Sequence, residues 1–103
     1  MKLLFAQSAF DDLADIQTYY LEQDVHAVGE KLVTEIIAHV EVLTDHPEIG
    51  RIVPEFSEPK IRELIHSPFR IVYWLDNQTI NVIRVWRSER LLQLPVLQPK
   101  MKA

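Results

Sequence analysis

The chain has 103 residues, of which 48% are hydrophobic and 25% charged, and its formal net charge is −4. This length supplies one domain with a modest core. The absence of cysteine excludes disulfides, thiolate metal sites and thiol nucleophiles. No stretch approaches the roughly 18 uncharged apolar residues of a membrane span, so we expect a cytoplasmic protein without membrane contact.

The charge is distributed unevenly along the chain. Residues 1–50 carry ten acidic and two basic side chains, whereas residues 51–90 carry seven basic and five acidic ones. Nucleic-acid-binding domains usually concentrate strong positive charge on one surface. The small basic surplus of the second half is too weak for that pattern, which counts against nucleic-acid binding.

The first half of the chain predicts one short strand followed by two helices. Residues 2–6 suit a strand, and Ser8 opens a capping-box pattern that starts the first helix. Asp24 is positioned to cap a second helix, which ends at His46 because proline disfavours helical backbone in the residue before it. The short gap between the helices predicts an antiparallel hairpin.

Apolar residues in the second helix recur at helical spacing, which predicts one buried face. Its members are Val28, Leu32, Ile36, Val40 and Leu43. The acidic residues of the first helix are interpreted as helix-start charges that the helix dipole favours, rather than as paired catalytic carboxylates. They are Asp11, Asp12 and Asp15.

The second half of the chain predicts four strands, at residues 51–56, 60–66, 69–75 and 80–87. Pro54 marks the first of these as an edge strand. Strands grouped after helices indicate an α+β fold in the order β-α-α-β-β-β-β, with the helical hairpin on one face of a largely antiparallel sheet. We assign the single domain to residues 1–94 and an irregular tail to residues 95–103.

The last hairpin has a predicted register that is the same whether Asp76 pairs with Thr79 or Leu75 with Ile80 at the turn. The expected cross-strand pairs are Leu75 with Ile80, Trp74 with Asn81, Val72 with Ile83 and Arg70 with Val85. Alternation then separates two faces. The more apolar face, which carries Ile71, Tyr73, Val82, Arg84 and Trp86, is assigned to the helices. Arg84 is the exception there, and we expect it to pair with a helix carboxylate.

The opposite face of this hairpin is the predicted partner-binding surface. Its arginines, Arg70 and Arg87, flank an apolar floor that consists of Val72, Trp74, Ile83 and Val85. An exposed apolar patch of this kind usually marks a binding surface. The alternative is that the tail folds back over it through its leucines, which are Leu91, Leu92, Leu94 and Leu97.

Several segments in a fixed order resemble the RelE/ParE toxin superfamily, and more closely its ParE branch, from Phe5 to Leu92. They are AFDDLADIQTYY, LTDHPEIGRIVPEF, IRELI, FRIVYWL and RSERLL. The resemblance implies a plasmid-stabilisation toxin whose first strand lies beside its last and which a cognate antitoxin neutralises. ParE-like members are associated with inhibition of DNA gyrase, whereas RelE-like members cut messenger RNA on the ribosome.

The resemblance also implies a candidate catalytic set for the RelE-like alternative. Arg70 matches the central strand arginine, Arg87 and Arg90 fall in the C-terminal basic cluster, and Arg62 lies on a neighbouring strand. RNA cleavage requires a base and an acid. RelE-like enzymes place a tyrosine or histidine near the C-terminus, and this chain has neither beyond Trp86. Arginine is a poor substitute because its pKa stays above about 12.

We therefore favour a ParE-like toxin that binds a protein target, with Arg70, Trp74, Arg87 and Arg90 as partner-binding residues. The alternatives are a ribosome-dependent endoribonuclease and a non-toxic binding module. The arginines also have a plain structural interpretation, as strand residues that support the fold. We expect no cofactor, and the four histidines lack the spacing of metal ligands.

Overall fold

Two helices pack on one face of a five-stranded sheet in the computed structural model, which describes residues 1–87. The strands are β1 (Lys2–Phe5), β2 (Arg51–Ile52), β3 (Ile61–His66), β4 (Phe69–Leu75) and β5 (Thr79–Arg87). The helices are α1 (Gln7–Glu22) and α2 (His26–Glu41), and a short 3-10 helix at Val42–Thr44 follows them. The predicted α+β order is confirmed. The boundary at residue 94 and the tail lie outside the described residues.

The strand order across the sheet is β1-β5-β4-β3-β2. β1 pairs with β5 in parallel, and the other neighbours are antiparallel. The expected contact of the first strand with the last is therefore confirmed. β2 is an edge strand as predicted, but it has two residues rather than six. The chain turns after Val53, since Pro54 has no N–H with which to continue a ladder.

The core lies between the helices and the sheet. Its buried members come from every layer of the fold, and they include Ala9, Leu13, Ile16, Ile36, Val40, Leu64, Phe69, Ile71, Tyr73, Ile80, Val82 and Val85. The predicted buried face of α2 is correct in its middle and wrong at its start, where Val28 is exposed. Neither helix in residues 1–87 is long and apolar enough to cross a bilayer.

Both predicted helix caps are wrong. α1 follows β1 without a loop, so its N-cap is Ala6, and the hydroxyl of Ser8 donates instead to the carbonyl of Ile83. Asp24 adopts a left-handed backbone conformation with φ 64°, and Val25 is the N-cap of α2. The tight connection between the helices takes Asp24 away from the capping position.

A β-bulge shifts the register of the last hairpin. The observed pairs are Leu75 with Ile80, Trp74 with Asn81, Tyr73 with Val82, Val72 with Arg84, Ile71 with Val85, Arg70 with Trp86 and Phe69 with Arg87. Ile83 is the extra residue, so two residues of β5 oppose one step of β4. The first two predicted pairs are confirmed, and the other two are wrong.

The bulge also corrects the predicted faces. Beyond Ile83 each residue of β5 lies on the side opposite to the one expected, because the side-chain period is two. Val85 is therefore buried in the core, and Arg87 lies opposite Phe69 on the helix side. Arg84 and Trp86 move to the face away from the helices.

Helix α1 covers the part of the β5 edge that β1 does not reach. The β1–β5 ladder ends at the pair of Phe5 and Val82. Beyond it, Asp12 accepts a hydrogen bond from the Val85 amide at 2.8 Å, and from Nε and Nη2 of Arg84 at 2.8 and 3.0 Å. The hydrogen bonds to Asp12 raise the pKa of Arg84. The predicted pair of Arg84 with a helix carboxylate is confirmed, and Asp12 has a structural role that sequence reasoning missed.

We expect Asp12→Ala to lower the free energy of unfolding by about 2–3 kcal/mol, because it leaves the Val85 amide and the Arg84 guanidinium without their acceptor. Urea denaturation followed by circular dichroism measures this loss. Asp11→Ala, an exposed site on the same turn, is the matched control and should change stability by less than about 0.5 kcal/mol. Equal losses for both variants would contradict the role of Asp12.

Candidate partner-binding face

The face of the sheet opposite the helices is the candidate site, and we call it the open face. Residues directly opposite each other on neighbouring strands share a face, so the register identifies its members. They include Leu4, Arg51, Ile61, Glu63, Ile65, Arg70, Val72, Trp74, Asn81, Arg84 and Trp86. All five strands contribute to it, and the register places these residues on one side of the sheet.

The open face presents a row of side chains that crosses four strands and is apolar except for Asn81. Leu4, Asn81, Trp74 and Ile61 follow one another from β1 to β3. Leu4 is 40% exposed and Trp74 is 41% exposed, and Ile65, which lies farther along β3 opposite Arg70, is 46% exposed. Large apolar side chains accessible together on one sheet face are the usual sign of a surface that binds another protein. Sequence alternation in KLLFA and IRELI contains the signal for Leu4 and Ile65.

The apolar floor is smaller than predicted. Val72 is buried, as is Val53, and neither belongs to the core between the helices and the sheet. The turn at residues 53–57 folds over this part of the open face and brings Glu55 to Arg70. Trp74 therefore keeps the accessible position expected of it, whereas Val72 is covered.

Arg70 lies at the centre of a network of four alternating charges. Its Nη1 and Nη2 donate to the two carboxylate oxygens of Glu55 at 3.1 and 3.0 Å, and its Nε donates to Glu63. The second oxygen of Glu63 accepts from Nε of Arg51. The side chain of Glu63 is 0% exposed and that of Arg70 is 5% exposed. The order is thus Arg51, Glu63, Arg70, Glu55, with no net charge.

The network keeps Arg70 and Glu55 ionised. Burial by itself would lower the pKa of Arg70, but hydrogen bonds to Glu55 and Glu63 outweigh it and the pKa is raised. The hydrogen bond from Arg70 lowers the pKa of Glu55. At neutral pH both groups are therefore charged, and Arg70 has no proton to exchange in acid–base chemistry.

The structure does not bring the candidate catalytic arginines together. Arg62 lies opposite Tyr73 on the helix side and donates to the backbone oxygens of Pro59, Gly50 and Glu48. The guanidinium of Arg87 lies 5.6 Å from the ring of Phe69 and 5.9 Å from that of Tyr19, also on the helix side. Arg90 lies outside the described residues. Arg70 is the member of this set that is on the open face.

The predicted partner-binding residues divide in the same way. Arg70, Val72 and Trp74 lie on the open face, whereas Val85 and Arg87 lie on the helix side. Ile83 is the bulged residue, and Arg90 is outside the described residues. Trp86 was expected on the helix side, and the register places it beside Arg70 instead. The bulge is the physical reason for each of these changes.

Metal chemistry has no support in residues 1–87, where no group of three histidine or carboxylate side chains could hold an ion. Two histidines do approach each other across α2 and β3. Their Nδ1 atoms, in His39 and His66, are 3.0 Å apart. This contact joins the helix to the sheet. Burial and the neighbouring His66 lower the pKa of His39.

Comparison with known proteins places the chain among toxins. Residues 3–92 match the family model described as ParE toxin of type II toxin-antitoxin system, parDE. The fold is similar to the solved structure of the chromosomal ParDE TA system from P. aeruginosa, with a TM-score of 0.72 and 25% identity over 84% of this chain and 95% of that one. No curated protein matched the sequence.

A second solved structure shares the fold. It is a YoeB/ParE toxin from Agrobacterium tumefaciens, with a TM-score of 0.57 and 19% identity, and the match covers 84% of this chain and 98% of that one. At this identity the likeness concerns the fold alone.

We expect Glu63→Gln to lower the free energy of unfolding by about 2–4 kcal/mol, because it leaves Arg51 and Arg70 close together without the buried carboxylate between them. Chemical denaturation monitored by tryptophan fluorescence measures the change. Glu58→Gln, on the neighbouring exposed turn, is the matched control and should be nearly neutral. A neutral Glu63→Gln would show that the network does not support the open face.

Proposed function

Because the chain belongs to the ParE toxin family of type II toxin–antitoxin systems, we propose that it binds and inhibits a protein target of the DNA gyrase class. We propose further that a cognate antitoxin silences it by covering the open face, and that both events take place in the bacterial cytoplasm. Both steps are protein–protein recognition, so they require a binding surface rather than a catalytic constellation.

The compensation of Arg70 by two carboxylates carries this proposal. A ribonuclease of this superfamily would use strand cations to stabilise phosphate charge. Here Glu55 occupies the paired donors of the guanidinium with which Arg70 would hold a phosphate, and Glu63 occupies Nε. Arg62 and Arg87 face the other side of the sheet. This arrangement favours partner binding over RNA cleavage.

The open face has the anatomy of a protein interface. Aromatic residues and arginine are enriched at the centres of such interfaces, where they act as anchors. Trp74 supplies an accessible anchor, flanked by Ile61 on β3 and by Leu4 two strands away. An antitoxin helix or extended segment with apolar side chains along one side fits this row.

The proposed function predicts toxicity without RNA cleavage. Induction in bacteria should arrest growth with signs of DNA damage while messenger RNA stays intact, and the purified protein should inhibit supercoiling by gyrase. Co-expression of the neighbouring small reading frame should restore growth. Growth analysis, RNA mapping and a supercoiling assay measure the three effects.

Each failure has a distinct meaning. Messenger RNA cleavage that disappears in Arg70→Ala would replace this proposal with the ribonuclease alternative. Unimpaired growth together with tight antitoxin binding would indicate the non-toxic binding module.

We expect Trp74→Glu to weaken antitoxin binding by roughly 30-fold or more, because it places a charge at an apolar anchor of the interface. Calorimetric titration measures the affinity, and thermal unfolding should show a modest change because the residue is 41% exposed. The matched control is Leu21→Glu at the exposed end of α1. Equal weakening by the control would show that the antitoxin does not bind specifically at the open face and would point to the helices instead. Unfolding of Trp74→Glu would show that Trp74 belongs to the core.

A further inference from the structure

We propose that Glu55 is an internal substitute for a carboxylate of a protein partner, and that the partner displaces it from Arg70 on binding. This inference rests on the proposed function, because it specifies the chemistry of the partner group that the open face receives. It assigns to Glu55 the role of a built-in competitor at that site.

The geometry of Arg70 is that of an occupied oxyanion site. Two parallel hydrogen bonds, at 3.1 and 3.0 Å, join the guanidinium fork to both oxygens of Glu55. This paired arrangement is the one with which arginine recognises free carboxylates. Glu63 holds Nε from within the sheet and is itself fixed by Arg51, so the guanidinium stays in place whether or not Glu55 is bound.

Glu55 is the member of the network that is able to leave. Its side chain is 24% exposed, whereas that of Glu63 is 0% exposed. It lies on the turn at residues 53–57, where Ser57 has a left-handed backbone with φ 51°, a strained conformation for a residue with a side chain. Phe56 at the tip of this turn is exposed rather than packed on the sheet. The side chain of Glu55 can swing away from Arg70 while the turn keeps its hydrogen bonds from the amides of Phe56 and Ser57 to the carbonyl of Val53.

The charge left behind suits one carboxylate rather than a polyanion. Once Glu55 departs, the three remaining residues, Arg51, Arg70 and Glu63, carry a net charge of +1. The residues directly opposite Arg70 on the neighbouring strands are Ile65 and Trp86, and the nearby Arg84 is already paired with Asp12. A single acidic side chain on an otherwise apolar protein segment matches this surface, whereas a nucleic-acid backbone requires several free cations.

The first experiment uses inorganic phosphate as a probe of the emptied site. In Glu55→Ala, about 100 mM phosphate should raise the melting temperature by roughly 3 °C relative to sodium chloride at equal ionic strength, because the anion binds the folded state alone. The wild-type chain and Glu58→Ala, a neighbouring exposed carboxylate, should show no such rise. Equal responses in all three proteins would overturn the proposal.

The second experiment measures the partner directly. The product of the neighbouring small reading frame should bind Glu55→Ala about tenfold more tightly than it binds the wild-type chain, because no internal carboxylate competes for Arg70. Glu55→Gln should fall between them, and Glu58→Ala should match the wild type. Circular dichroism of each variant confirms that it is folded.

The outcomes separate this inference from the function on which it rests. Absence of any binding by the wild-type chain would remove the proposed antitoxin binding on which this inference rests. Binding by the wild type that Glu55→Ala leaves unchanged or weakens would overturn the competitor role alone. A tenfold gain in affinity of Glu55→Ala for a single-stranded RNA 12-mer would assign the site to phosphate and overturn the carboxylate partner.

Discussion

The buried ion pair of Arg70 and Glu63 is the constraint on which the open face depends. Moving an ion out of water costs several kcal/mol even after relaxation, and the attraction between two buried ions offsets this only when their remaining donors and acceptors are also satisfied. Arg51 and Glu55 provide that satisfaction from the two flanks. The network thereby fixes a two-residue edge strand and the turn that follows it against β3 and β4. The same four residues hold the turn that covers part of the apolar surface. Their two carboxylates also occupy the donors of Arg70, which are therefore unavailable to phosphate.

The opposite edge of the sheet, at β1 and β5, is also completed by polar side chains. β1 is too short to cover β5, and the exposed ladder positions are completed by side chains of α1 rather than by another strand. Ser8 and Asp12 act there as substitutes for a backbone. Both edges of the sheet thus rely on polar side chains from neighbouring segments.

Sequence reasoning predicted the features that are local in the chain. The grouping of strands after helices predicted the order of elements, and the isolated Arg84 on an apolar strand predicted an ion pair with a helix carboxylate. The bulge at Ile83 escaped it, because no glycine or turn residue marks the position in TINVIRVWR. The capping role expected of Ser8 was wrong for a related reason, since its acceptor is 75 positions away. The register and the faces of the last hairpin were therefore predicted correctly up to the bulge and incorrectly beyond it, whereas the covering of Val72 by the 53–57 turn required the three-dimensional structure.

The parallel contact between β1 and β5 has a consequence for how the protein comes into being. Lys2 pairs with Thr79, and Ser8 and Asp12 bond to β5 as well, so the first helix and the first strand are completed by residues that are synthesised much later. Contacts this distant in sequence form slowly, because a long loop must close before they stabilise anything. A nascent chain that stops short of β5 cannot pair β1 with the rest of the sheet. The folded state, and with it any toxicity, is thus reserved for chains in which β5 has been synthesised.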